Sequence, residues 1–110
     1  MNTPFRALRL QTPVSQTDLT FLLEKDNSSG LSSVERGNVT PTLRIVLLYH
    51  LVFDMPLETL VQGYKEHMRI FLQDRLTTRI EQLKSAPQTP KRSLRLAYLE
   101  QALTRLSPQI

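Results

Sequence analysis

The sequence predicts an all-α protein, with a five-helix domain over residues 1–63 and a two-helix C-terminal extension over residues 64–110. Three observations lead there. Apolar side chains recur three and four residues apart in successive segments, the spacing that lines one face of a helix. Residues that start and stop helices punctuate those segments: Pro4, Ser15, Asn27, Gly37, Thr40 with Pro41, and Pro56. The charge balance then changes abruptly after residue 63, which divides the chain in two.

Thr3 to Leu10 suits a short first helix, because Pro4 falls where a first turn needs no N–H and Phe5, Leu8 and Ala7 share one side. Ser15 opens the second. Its hydroxyl can cap the N–H of Asp18 while the Asp18 carboxylate sits in the positive first turn. Leu19, Leu22 and Leu23 form the apolar stripe and Phe21 flanks it. Lys25, Asp26 and Asn27 break the pattern, and Asn27 or Ser28 can cap a third helix. Only Leu31 and Val34 need face inward there, which leaves Ser28, Ser29, Ser32, Ser33 and Arg36 on a small, polar outer face. Gly37 ends it, because glycine takes the left-handed C-terminal conformation without penalty.

These residues resemble the lambda-repressor-like (Xre/Cro) helix-turn-helix family. The matching positions are Ser15, Gln16 and Leu19, then Leu31, Ser32, Val34, Glu35, Arg36 and Gly37, and Pro41 downstream. The resemblance covers about residues 5–60 and says nothing of the chain beyond. It implies a sequence-specific DNA-binding transcriptional regulator that reads the major groove of double-stranded DNA with its third helix, as a homodimer. Carried onto this sequence, Gln16 and Thr17 would hold backbone phosphate, and Ser28, Ser29, Ser32 and Ser33 would face base edges or phosphates. Arg36 and Asn38 would touch the flanking backbone, with Asn27 counted in the same DNA-binding set. The resemblance also pairs Arg9 with Glu35, tying the first helix to the third.

Thr40 and Pro41 give a start signal for a fourth helix, whose stripe is expected at Leu43, Val46, Leu47, His50 and Phe53. His50 reads as a core-edge histidine bonded to a backbone carbonyl. Asp54, Met55 and Pro56 end that helix, and Leu57 to Val61 suit a short fifth in which Leu57 and Leu60 close the bundle. In the extension, Tyr64, Met68, Phe71, Leu76, Ile80 and Leu83 mark a long amphipathic helix from Tyr64 to Lys84. Pro87 and Pro90 argue for a linker over residues 85–92. Leu94, Ala97, Tyr98, Ala102, Leu103 and Leu106 mark a last helix from Ser93, stopped by Pro108. The two helices can fold back as an antiparallel pair or pack on a second chain, and periodicity does not choose between these. A dimer seam near Phe71, Leu76 and Ile80 is the expectation.

Composition excludes several chemistries. The chain has no cysteine, which removes disulfides, zinc–thiolate sites and thiol catalysis, and its two histidines are too few for a metal cluster. No serine has a histidine or lysine beside it in a nucleophile motif, and there is no Gly-rich phosphate loop, so no enzyme and no cofactor is expected. No apolar run reaches the length of a membrane span, and the N-terminus lacks a signal-peptide core, so the expected location is cytoplasmic and no membrane partner is expected.

Charge complicates the DNA reading, since a protein that grips DNA must neutralise phosphates. Residues 1–63 carry five basic and six acidic side chains, a net of −1, whereas residues 64–110 carry nine and four, a net of +5. Either the first domain grips through backbone N–H groups and polar side chains, or the tail supplies the electrostatic hold. The alternative is a protein-interaction module on the same fold, antitoxin-like or a co-regulator. It draws on the third helix itself, whose serines offer little of the bidentate base reading that Arg, Asn and Gln supply.

Overall fold

The computed structural model describes residues 3–107, and these form six α-helices with no strand among them. The helices are α1 (Pro4–Leu10), α2 (Gln16–Leu22), α3 (Ser29–Glu35), α4 (Leu43–Phe53), α5 (Leu57–Lys84) and α6 (Pro90–Leu106). The chain divides into two compact units, Met1–Tyr64 and Lys65–Ile110.

The first unit is built on short helices whose ends are held by side chains. Ser15 and Asp18 form a full capping box: the Ser15 hydroxyl accepts from the Asp18 N–H, and the Asp18 carboxylate accepts from the Ser15 N–H, both at 3.0 Å. At the start of α3 the Asn27 side-chain oxygen accepts from the Ser29 N–H at 3.1 Å. At its end Gly37 has φ 78, and the N–H groups of Gly37 and Asn38 return to the carbonyls of Val34 and Ser33. That is a Schellman stop, and it needs a residue free to adopt positive φ. Glu24, with φ 56, makes the same kind of reversal after α2 without being a glycine.

Phe5, Leu19, Val34, Tyr49 and Leu60, one from each of five helices, are all but fully buried and define the core of this unit. The Phe5 and Tyr49 rings meet edge to face with centroids 4.9 Å apart.

Several expected positions move. In α2, Leu22 is exposed and Thr20 is buried in its place, its hydroxyl donating to the Gln16 carbonyl at 2.7 Å. The inward face is centred between Leu19, Leu23 and Thr20, and Leu22 lies about 100° round the helix from that centre. Ala7 on α1 is likewise exposed. In α4 the cap is Thr42, not Thr40, so Pro41 stands before the helix instead of opening it. Its inward stripe is Val46, Tyr49 and Phe53 with Ile45 and Leu48, while Leu43 and Leu47 face out. His50 does hydrogen-bond the Met55 carbonyl through Nδ1.

The largest correction is at the fifth helix. Leu57–Val61 and Tyr64–Lys84 are one continuous helix of 28 residues. Nothing at Gln62 or Gly63 interrupts it: a lone interior glycine costs about 1 kcal/mol relative to alanine, too little to break a helix whose Leu60 and Tyr64 lie one turn apart on the core side. Leu57 sits toward solvent, and Leu60, Val61 and Tyr64 do the packing.

In the second unit, the part of α5 beyond Tyr64 and all of α6 form an antiparallel hairpin. At its open end Arg69 and Gln73 both donate to the Leu106 carbonyl at 2.8 Å, and at the turn Gln88 donates to the Leu83 carbonyl at 3.0 Å. Pro90 does not bar a helix here. It occupies the first turn of α6, where a missing N–H is harmless, and Thr89 caps it. Ile80 and Leu83 are buried, and Leu72, Leu76, Leu96, Leu99, Leu103 and Leu106 are half-buried along the seam. Ile80 and Leu76 are therefore occupied within the chain, and Phe71, Met68, Leu94 and Tyr98 lie outside the seam. Pro108 lies outside the described residues.

Candidate functional site

Four helices converge on the Glu35 carboxylate. Arg9 of α1 approaches it as a fork, Nε to Oε2 at 2.8 Å and Nη2 to Oε1 at 2.9 Å. Gln16 of α2 donates from Nε2 to Oε1 at 2.9 Å, and Tyr49 of α4 donates from its hydroxyl to Oε2 at 2.6 Å. The Glu35 side chain is fully enclosed. A buried carboxylate is tolerable only when its lone pairs are occupied and its charge is matched, and both conditions are met. Burial pushes the Glu35 carboxyl up, but the hydrogen bonds from Arg9, Tyr49 and Gln16 outweigh it and hold the group below its usual value. The Tyr49 hydroxyl is pushed well up, by burial first and by its bond to Glu35 second.

The arrangement orients Gln16. A carboxylate only accepts, so the amide must turn its NH2 to Glu35, which leaves Oε1 to accept from the Ser32 hydroxyl at 2.8 Å. A chain of hydrogen bonds thus runs from the surface of α3 through α2 into the buried ion pair. Beside it a cleft of about 310 Å³ is lined by Arg6, Gln16, Ser32, Glu35 and Arg36. Arg6 and Arg36 are exposed and make no ion pair among the described residues.

The outer face of α3 follows from what its inner face must do. Leu31, Val34 and Glu35 point inward. At about 100° per residue, Ser29, Ser32, Ser33 and Arg36 then fall within an arc of about 100° on the opposite side. Ser29 and Arg36 are exposed, Ser32 and Ser33 half-buried, and Gly30 beside them has nothing within 4 Å of the position a Cβ would take. This is a smooth strip of hydroxyls ending in a guanidinium.

The remaining sequence-derived residues are spread around this strip. Asn27 accepts from both the N–H and the hydroxyl of Ser29, the latter at 2.6 Å, so its side chain shapes the start of α3. Ser28 is half-buried at the N-cap and makes no capping bond. Thr17 and Asn38 are exposed at the edges, and the Asn38 N–H is taken by the stop of α3. Arg6 and Tyr49 are absent from the expected set. For Tyr49 a signal exists: Val46, Tyr49 and Phe53 are spaced by three and four, as good a stripe as the one through Leu43 and Leu47.

No protein-family model, curated protein or solved structure matches the chain. Among the described residues no helix is long and apolar enough to cross a membrane, and no group of side chains is placed to hold a metal ion.

Proposed function

We propose that the first unit is a helix-turn-helix module of the lambda-repressor-like kind and that the protein is a sequence-specific DNA-binding transcriptional regulator, with α3 entering the major groove. The observation that carries this reading is the outer strip of α3: Ser29, Ser32, Ser33 and Arg36 lie on one arc opposite Leu31, Val34 and Glu35, and Ser32 is tied through Gln16 to the buried ion pair behind it. Small side chains let the helix backbone approach base edges closely, and a helix in the groove is positioned by phosphate contacts at its flanks. Arg6 and Arg36, on the rim of the cleft, have the chemistry and exposure for that positioning. Gln16 contributes by fixing Ser32, whose hydroxyl donates to its Oε1.

Two copies acting together belong to this reading, because one unit with a net charge of −1 holds DNA weakly. The surface for pairing differs from the tail seam expected from sequence. Leu43, Leu47 and Leu51 recur every four residues on the outer side of α4 and are all exposed. A helix apolar on both sides is ordinarily covered on both.

The same leucines support a second reading, in which a different protein covers α4 and the module works by protein interaction. Selection from a random DNA pool with purified full-length protein, followed by mobility shift at stated salt, tests the first. Enrichment of one palindromic motif is expected, whereas no enrichment together with monomeric sedimentation at micromolar concentration favours the second.

A further inference from the structure

The second unit carries +5 of the protein's charge, and the hairpin distributes it unevenly. On α5 the seam residues Leu72, Leu76, Ile80 and Leu83 fix the direction of α6, and on α6 Leu96, Leu99, Leu103 and Leu106 fix the direction of α5. With both helices advancing about 100° per residue and running antiparallel, every outer residue can be assigned to one of the two broad faces.

The assignment separates most of the charges, with Lys84 the one exposed cation that falls among the carboxylates. Arg75 and Arg79 of α5 and Lys91, Arg95 and Arg105 of α6 fall on one face, all exposed. All four carboxylates of the unit, Glu66, Asp74, Glu81 and Glu100, fall on the other. None of the five cations is within ion-pair distance of a carboxylate among the described residues; Arg79 bonds the neutral Gln82. Two rings share their face, Phe71 at 55% and Tyr98 at 65% exposure, together with the exposed Met68 and Leu94, and the Arg105 guanidinium lies 5.8 Å from the Tyr98 ring centre. The strip runs about 21 Å along α6 from Lys91 to Arg105 and spans two helices about 10 Å apart.

We infer that this face is a nucleic-acid contact, binding the phosphodiester backbone of a duplex without regard to sequence. Four of the five cations are arginines, whose planar fork suits phosphate oxygens, and their spacing by turns of helix follows a backbone better than it would a compact anion. A lipid surface fits less well, because the exposed apolar side chains on this face, Met68, Phe71, Leu94 and Tyr98, are interspersed among the cations and do not form the broad apolar side that an inserting helix buries. The assignment does not depend on α3 reading sequence.

The test uses the full chain and a random-sequence duplex of about two helical turns, roughly 20 base pairs. Two triple variants change the net charge equally: Arg75→Gln with Arg79→Gln and Arg95→Gln on the basic face, and Thr77→Glu with Ser93→Glu and Thr104→Glu on the acidic face. Fluorescence anisotropy between about 50 and 200 mM salt should show the first variant binding at least about a hundredfold more weakly at low salt. Its slope of log affinity on log salt should fall by about 0.9 for each phosphate no longer neutralised. The second variant should lose much less. Equal losses in the two variants would assign the effect to net charge and overturn the face, as would wild-type affinity in the first variant. Tighter binding to vesicles of phosphatidylserine and phosphatidylcholine than to the duplex would overturn it in favour of a membrane. Melting curves confirm folding, and the single variants Arg75→Gln and Arg95→Gln give the same reading if a triple variant unfolds. Ser33→Arg, which alters selected sites under the reading of α3, should leave this random-duplex affinity no weaker, so the two proposals fail separately.

Discussion

The Tyr49 hydroxyl donates a 2.6 Å hydrogen bond to the same oxygen of Glu35 that receives Nε of Arg9. A neutral donor and a cation thus share one buried oxygen, and α4 is locked to α3 at the point where α1 also meets it. Tyr49→Phe removes the donor and keeps the ring against Phe5. Hydrogen bonds to charged groups contribute about 1.5–3 kcal/mol, and a loss of that size is expected in urea unfolding. An unchanged midpoint would show that Arg9 and Gln16 hold the carboxylate unaided.

Removing the cation should cost more. Arg9→Ala leaves a buried carboxylate without its counter-charge, a change worth about 3–5 kcal/mol. Arg9→Lys restores the charge and loses the two-pronged grip, so only part of the stability should return. Full recovery in the lysine variant would mean that the fork geometry is unimportant.

The same network sets the response to pH. The carboxyl of Glu35 is held below its ordinary 4.5, so its contribution is fully present above that value and is lost as pH falls through the folded-state value. Tyr49 shifts the other way from an ordinary 10.0, and its contribution is present below that value and fades at more alkaline pH. Stability measured against pH should form a plateau with an acid and an alkaline edge. Tyr49→Phe should remove much of the alkaline edge, and an identical edge in that variant would place its origin elsewhere.

The strip on α3 makes a separable claim about recognition. Ser33→Arg should change which sequences are selected from a random DNA pool while the melting temperature stays within a degree or two of wild type. Gln16→Ala should weaken binding to all sites alike, and it should also destabilise the fold, since it removes a donor from Glu35 and an acceptor from Ser32. Site preference unchanged by Ser33→Arg would remove α3 from the groove.

Most of what is legible in the sequence is local. The Ser15–Asp18 box and the Gly37 stop depend on residues within three or four positions of each other, and both stand as the residue types dictate. Helix faces are harder to read where a helix is apolar all round. In α4 the stripe through Leu43 and Leu47 and the stripe through Val46 and Tyr49 are equally regular, and only the position of Phe5 decides between them. Breaks mislead in both directions. The division expected between Val61 and Tyr64 falls within a helix, while Pro90 looks like an obstacle and opens one, because each residue's effect depends on how much helix lies on either side. The Arg9–Glu35 pair follows from the resemblance alone. Its other two partners, Gln16 and Tyr49, have no local signature, since the bonds join residues 19 and 14 positions from Glu35.

The buried carboxylate also bears on how the first unit assembles. Its partners come from α1, α2 and α4, so a partly docked bundle missing any one of them would hold an ionised group in an apolar surround with its charge or a lone pair unmet. Such states lie high in free energy. The network therefore raises those partly docked states that keep the Glu35 carboxylate out of water, and α1 to α4 should appear and vanish as a single step. Their slowest-exchanging backbone amides should then share one opening free energy, whichever helix they belong to.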